Sequence, residues 1–132
     1  MIVLDTHVLV WWVTANPALS TQARAAIEYE QTNRGEIIVS TISAWEIALL
    51  VQREKLVLSM DVSEWLATVA AIESVRFVAV DVETATKSVV LPGAFHKDPA
   101  DRMIVATARI LAVPLITADQ RIRDYVHVKT IW

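Results

Sequence analysis

The sequence predicts a three-layer α/β/α domain with a central, mostly parallel sheet of four to five strands. Short apolar runs such as residues 2–4 and 37–40 suit strands buried on both faces, as the strands of parallel sheets are. Helical segments separate these runs, and this alternation indicates right-handed crossovers between parallel strands. A chain of 132 residues, 55% of them apolar, can bury one core, so we expect a single domain over residues 1–132.

The first half of the chain is predicted to hold two strands and three helices. Asn16-Pro17 ends the first helix, and Ser20 is a suitable N-cap for the second. The predicted elements are a strand at 2–4, helices at 8–14 and 20–31, a strand at 37–40 and a helix from 41 to about 53.

The second half is predicted to open with a helix capped by Asp61 or Ser63. Leu91-Pro92-Gly93 breaks the helix before the last long one, for which Asp98 and Pro99 suit the N-cap and first position. The predicted elements are helices at 61–73, 83–90 and 99–111, strands at 77–80 and 113–117, a short turn at 120–124 and an edge strand within 126–131.

The composition excludes several classes of protein. Without cysteine the chain has no disulfide and no thiolate metal site, so a metal must be bound by oxygen or imidazole. A net charge of −3 gives no overall attraction to nucleic acid and leaves only local arginine clusters for that purpose. The N-terminus lacks a basic signal region and no apolar run approaches the ~20 residues of a membrane span, so we expect a cytoplasmic protein without membrane association.

Four carboxylates are predicted to meet at one edge of the sheet. Asp5 and Asp119 follow or nearly follow strands, and Glu46 and Asp101 lie in the first turns of helices entered from that edge. Ligands of open parallel sheets bind at the carboxyl ends of the strands. We therefore expect these four side chains to face one crevice.

Helix capping is an alternative explanation for these acids. Ser43 and Glu46 have the spacing of a capping box, and Asp98 and Asp101 suit the first turn of a helix. Glu46 and Asp101 nevertheless share helix faces with apolar residues, which are Ile42, Leu49 and Leu50 for the first and Ile104, Val105 and Ala108 for the second. A carboxylate turned toward the core needs a partner because an unpaired buried charge is costly.

A cation is the natural partner of four carboxylates that would otherwise repel one another. Oxygen ligands without thiolate suit Mg²⁺ or Mn²⁺. Such ions can activate water and stabilise the oxygens of a phosphodiester displacement.

Four motifs resemble, in their order and spacing, those of PIN-domain ribonucleases, and specifically of VapC-type toxins from bacterial type II toxin–antitoxin systems. They are Asp5-Thr6, Ser43-Ala44-Trp45-Glu46, His96-Lys97-Asp98-Pro99-Ala100-Asp101-Arg102 and Leu115-Ile116-Thr117-Ala118-Asp119. The resemblance extends over essentially the whole chain.

This resemblance implies an endoribonuclease that depends on Mg²⁺ or Mn²⁺, with an RNA substrate, a cognate antitoxin and a homodimeric assembly. The catalytic acids it implies are Asp5, Glu46, Asp101 and Asp119. Of these, the metal ligands are Asp5, Asp101 and Asp119. The supporting residues are Thr6, Ser43, Asp98 and Thr117.

Basic side chains provide candidates for RNA contact. Four arginines could hold phosphates bidentately, namely Arg102, Arg109, Arg121 and Arg123. Considered singly, each of these arginines more often forms an ion pair at the protein surface. We expect His7 and His96 to be solvated or to support the site.

Apolar side chains predict two interaction surfaces. A helix face formed by Trp65, Leu66, Val69 and Ile72 predicts self-association. Trp11 and Trp12 are adjacent on one helix and point about 100° apart, so at least one is expected to be exposed near the crevice. With Trp45 as a second wall, this surface suits an antitoxin segment that anchors an apolar side chain and presents arginine to the acids.

Three other functions compete with the metal nuclease. An aspartyl-phosphate phosphatase would use Asp5 as its nucleophile, but its pattern requires a second aspartate where His7 stands. A receiver-like module would require paired acids after the first strand and a phosphoacceptor aspartate after a middle strand, and Ser40-Thr41 follows the second strand. A non-catalytic binding module of the same fold is the third.

Overall fold

The computed structural model describes all 132 residues and contains five strands and seven helices. The strands are β1 (Ile2–Leu4), β2 (Ile37–Ser40), β3 (Val75–Val78), β4 (Leu115–Ile116) and β5 (Thr130–Ile131). The helices are α1 (Thr6–Val13), α2 (Thr21–Thr32), α3 (Thr41–Gln52), α4 (Val62–Ala70), α5 (Val82–Val89), α6 (Pro99–Leu111) and α7 (Gln120–Arg123). None of these helices is both long and apolar enough to cross a membrane.

The sheet is entirely parallel and has the strand order β3-β2-β1-β4-β5. β1 is central, with Val3 paired to Ile38 of β2 on one side and to Leu115 of β4 on the other. Because the order of strands reverses at β1, a crevice forms beyond the carboxyl ends of β1 and β4. The predicted parallel sheet is confirmed.

Side chains of the inner strands alternate between two apolar cores, one on each face of the sheet. One core receives Leu4, Val39 and Ile116 and is closed by residues of α1 to α4. The other receives Val3, Ile38 and Leu115 and is closed mainly by α6. Both faces of the sheet are therefore covered, as the three-layer prediction requires.

The predicted self-association face on α4 is mostly part of the first core. Trp65 and Val69 are 4% and 0% exposed, and Leu66 and Ile72 pack against the margin of the same core. The prediction that these four residues form an uncovered surface is wrong because α4 and the turn after it direct them toward the first core.

Several element boundaries differ from the prediction. α1 begins at Thr6, because Asp5 caps it. β3 begins at Val75, two residues early, because Val75 pairs with Ile37 at the start of β2. β4 and β5 contain two residues each, because only the pairs Leu115–Thr130 and Ile116–Ile131 are in ladder register.

Candidate active site and metal centre

Helix N-caps place three aspartates at the crevice. The carboxylate of Asp5 accepts the amide of Thr6 at 2.8 Å, and that of Asp119 accepts the amide of Arg121 at 2.9 Å. Asp98 accepts the amide of Asp101 at 3.0 Å and caps α6, as predicted. Capping and convergence are therefore compatible, because α1 and α7 follow parallel strands and α6 leads back to one, so all three helices begin near the carboxyl edge of the sheet.

Asp5 is the most buried of these acids, with 7% of its surface exposed. Its Oδ2 accepts the hydroxyl of Thr117 at 2.6 Å, while its Oδ1 accepts the amide of Thr6. Burial raises the pKa of Asp5 above its usual value, although these two hydrogen bonds favour the charged form. Thr6 and Thr117, predicted as supporting residues, fix the orientation of this carboxylate.

Glu46 is connected to the same cluster by the hydroxyl of Thr6. That hydroxyl donates to Oε1 of Glu46 at 2.5 Å and lies 2.9 Å from the buried hydroxyl of Ser43. Ser40 is the N-cap of α3, so the capping-box explanation for Ser43 and Glu46 is wrong. Burial is the largest cause that raises the pKa of Glu46, and the negative charge of Asp5 adds to it.

Asp101 shows most clearly that the acids share one electrostatic environment. Its side chain is 13% exposed. Burial raises its pKa to about 7, and the next causes are the negative charges of four other acids, which are Asp5, Asp98, Asp119 and Glu46. The structure thus brings the four predicted catalytic acids together, and ionisation of Asp101 is disfavoured both by burial and by their negative charges.

His96 lies closer to the acids than the sequence indicated. Its Nε2 is buried, makes no hydrogen bond and lies 3.2 Å from Oδ2 of Asp101. Its Nδ1 accepts the amide of Asp98 at 3.3 Å, which assigns the proton of the neutral ring to Nε2. Burial and the nearby Arg121 lower its pKa, so the ring is neutral at pH 7. Its position directly before the α6 capping motif was the available signal.

The donor set fits a hard divalent cation. Ligand atoms of His96, Asp101 and Asp119 all lie within 4.8 Å of one another, and Asp5 contributes negative charge beside them. Because Nε2 of His96 carries the ring proton, we assign the ligand role to the carboxylates and leave the histidine as a neighbouring donor. After burial, the negative charges of the neighbouring acids are the main causes that raise the pKa of Asp101, and a bound cation would offset that charge.

The four arginines proposed for RNA phosphates have different surroundings. Arg102 donates to the carbonyls of Ser88, Val89, Phe95 and His96, so its guanidinium is engaged and this geometry does not support the predicted phosphate role. Arg109 donates to the carbonyl of His127, and Arg123 to the side chain of Gln120. Arg121 alone lies at the acids.

Arg121 partly neutralises the crevice. Its Nη2 lies 3.1 Å from Asp119 and 3.7 Å from Asp101, and its side chain is 62% exposed. Burial raises the pKa of Asp119, but the hydrogen bonds and charge of Arg121 outweigh it and the net direction is down. Asp119 is therefore ionised at neutral pH.

The tryptophans differ from the predicted arrangement. Trp11 and Trp12 are both half-buried and pack against the first core. The ring of Trp11 lies between those of His7 and Trp132, at 5.9 and 5.8 Å between centroids. The expectation that at least one of this pair is exposed is wrong, whereas Trp45 beside Glu46 is 56% exposed.

Comparison with known proteins identifies the family. A model of the PIN domain matches residues 2–128. The chain belongs to the PIN domain family. This PIN domain is 38% identical over 133 residues to ribonuclease VapC22 of Mycobacterium tuberculosis, with 99% of this chain and 98% of that protein covered. The family resemblance read from the four motifs is confirmed.

Solved structures share the fold of this PIN domain. The VapBC2 structure of Rickettsia felis, bound to a DNA fragment from its promoter, matches with a TM-score of 0.70, 16% identity and coverage of 98% and 97% of the two chains. VapC20 of Mycobacterium tuberculosis, a sarcin-ricin loop cleaving toxin, matches with a TM-score of 0.60, 16% identity and coverage of 98% and 99%.

Proposed function

We propose that this PIN domain is a divalent-metal-dependent endoribonuclease and the toxin of a toxin–antitoxin pair. The observation that carries the proposal is the convergence of Asp5, Glu46, Asp101 and Asp119 in one crevice whose negative charge the chain does not balance. The identity to a VapC ribonuclease over nearly the whole chain supports RNA as the substrate.

Asp101 and Asp119, with Asp5 beside them, are the residues that would hold Mg²⁺ or Mn²⁺. The bound ion supplies charge neutralisation and Lewis-acid polarisation of the phosphodiester. Thr117 holds Asp5 in one orientation, and Arg121 places Asp119 against the same space. Rigid placement of these carboxylates avoids reorganisation during the reaction.

Glu46 is suited to accept a proton from the attacking water at its carboxylate. Its raised pKa moves it toward neutral pH, where a general base is more effective. The hydroxyl of Thr6 engages Oε1, which leaves the second carboxylate oxygen available. Ser43 holds Thr6 in turn, so the three side chains form one positioning network.

The toxin assignment implies protein partners. Structures of similar fold include a toxin–antitoxin complex from Klebsiella pneumoniae, and we propose that a cognate antitoxin binds this chain and that the chain forms a homodimer. An antitoxin arginine placed among the acids would compete with the cation for the same charge. In this role the protein acts in the cytoplasm.

Other functions receive less support from the site. A phosphatase would require Asp5 to attack phosphorus, yet both its oxygens accept hydrogen bonds and it is 7% exposed. A non-catalytic binding module would not require a general-base candidate oriented by the hydroxyl of Thr6, which itself contacts Ser43. Neither alternative accounts for the gathering of four carboxylates at one crevice as well as a cation site does.

Cleavage of RNA by the purified chain tests the proposal. We expect fragments in Mg²⁺ or Mn²⁺, none in EDTA, and recovery when the metal is restored. Comparison of the two metals at equal concentration determines which supports the higher rate. Cleavage that persists in EDTA, or none with either metal, contradicts the proposal. Protection of RNA by the product of a small adjacent reading frame tests the antitoxin partner.

A further inference from the structure

A cavity of about 440 Å³ lies between α3 and the start of α6. Its lining includes Glu46 and Asp98, so the cavity adjoins the acidic crevice. We refer to it as the α3–α6 cavity. Its volume falls within the roughly 300 to 1,000 Å³ typical of ligand sites in proteins.

Trp45 provides this cavity with an aromatic surface. The side chain is 56% exposed, although it sits on a helix next to a half-buried acid. Leu49 and Pro99 add apolar surface to the same lining. A flat, accessible indole with apolar neighbours suits the stacking of a nucleobase, because every base presents a π-face.

Arg53 and Lys55 supply positive charge to the same lining. Their backbone amides are bonded, but neither side chain joins an ion pair of the chain. Arg53 lies seven residues beyond Glu46, which is about 10 Å along the axis of α3. Cations at this distance from the acids can bind a phosphate without neutralising the carboxylates.

We propose that the α3–α6 cavity binds a nucleotide adjacent to the cleaved phosphate of single-stranded RNA. The base stacks on Trp45, and the backbone phosphate contacts Arg53 and Lys55. This inference rests on the proposed ribonuclease function and adds a determinant of substrate binding outside the acidic cluster. It also explains how a chain with net charge −3 attracts RNA to an acidic site.

Binding of fluorescein-labelled octa-adenylate in EDTA, measured by anisotropy, tests the subsite without cleavage. Trp45→Ala is expected to weaken binding about 5- to 150-fold, the range for loss of one base–aromatic stack, whereas Trp45→Phe keeps most of it. Arg53→Gln is expected to reduce the slope of log affinity against log salt by about 0.7. Tyr29→Ala and Arg24→Gln, exposed residues of the same kinds on α2, serve as controls and should bind as wild type does.

Three results overturn the subsite. The first is binding by Trp45→Ala that equals wild type, and the second is no binding of the oligonucleotide by wild type. The third is conversion of a dimer to a monomer by Trp45→Ala, with RNA binding lost equally in Trp45→Phe, which assigns the face to a second copy of the chain. If wild type binds through Trp45 but cleaves no RNA in Mg²⁺ or Mn²⁺, the proposed function fails and the subsite stands.

Discussion

The guanidinium of Arg102 donates to the carbonyl of His96 at 3.0 Å. The same group donates to the carbonyls of Ser88 at 2.8 Å and Phe95 at 3.0 Å, and its charge lies 5.9 Å from the centre of the Phe95 ring. Arg102 thereby connects the end of α5, the loop after it and the first turn of α6. The position of His96 beside Asp101 depends on this connection.

Replacing Arg102 is therefore expected to destabilise the fold and move His96. Arg102→Lys keeps the charge but cannot reproduce the planar set of donors, so we expect a loss of about 2 kcal/mol in the free energy of unfolding. Urea denaturation measures this loss. Arg123→Gln, which loses only an exposed contact with Gln120, should change stability little. Equal stability of the two variants would contradict the connecting role.

Neutralising the acids is expected to abolish cleavage and preserve the fold. Asp5→Asn, Glu46→Gln and Asp101→Asn should each lower the rate of RNA cleavage by about 100-fold or more, because each removes a charge that binds the metal or accepts a proton. Circular dichroism should be unchanged. Glu28→Gln, an exposed acid on α2, is the matched control and should cleave normally. Near-wild-type activity of Asp101→Asn would remove Asp101 from the site.

The stability of the metal-free protein should depend on the charge of Asp101. Its pKa rises from 3.8 to about 7 on folding, so the folded state binds more protons and stability falls as the pH increases through this interval. Asp101→Asn should remove this component and melt higher than wild type in EDTA at pH 8. Comparison of the two proteins is needed because the raised pKa values of Asp5 and Glu46 act in the same direction as that of Asp101, whereas the lowered pKa values of His96 and Asp119 act in the opposite direction.

Metal should reduce this difference. Mg²⁺ that binds the folded wild type and not the unfolded chain raises the melting temperature by linkage. Asp101→Asn lacks one of the proposed metal ligands, so Mg²⁺ should raise its melting temperature less. Calorimetry across pH 4 to 8, with EDTA and with Mg²⁺, measures both effects. If Asp101→Asn melts below wild type at pH 8 in EDTA, the carboxylate stabilises the fold as part of the helix N-terminus and the repulsion argument fails.

His96 is expected to act as a donor rather than as a metal ligand. Its Nε2–H has no acceptor of suitable geometry in the chain and lies 3.2 Å from Oδ2 of Asp101, within the candidate metal centre. His96→Ala should lower cleavage about 10- to 100-fold, while His96→Gln, with a donor at similar reach, should retain more activity. Electron-spin-echo spectra of the Mn²⁺-loaded protein should show no bound histidine nitrogen. Detection of one would place His96 among the ligands.

Local signals in the sequence were enough for most of the fold. The apolar runs at 2–4 and 37–40 predicted β1 and β2, and Asp98-Pro99 located the start of α6. These features depend on interactions within a few residues, such as a cap or a missing amide donor. The exposed surfaces were less predictable. Trp65 and Val69 were expected on an interaction surface but lie in the core, and Trp12 is half-buried. The reason is that the orientation of a helix depends on the other elements against which it packs.

By itself the sequence determined the parallel sheet, its carboxyl edge and the four acids that gather there, because capping residues and strand ends have fixed positions relative to each other in parallel sheets. Only the tertiary structure decided what each charged group contacts. In the folded chain Arg102 donates to backbone carbonyls and Arg121 donates to Asp119. Glu46 accepts the hydroxyl of Thr6. Burial and electrostatic interaction depend on distances between residues far apart in the chain, such as the 112 positions between Asp5 and Thr117, and no local pattern encodes these distances.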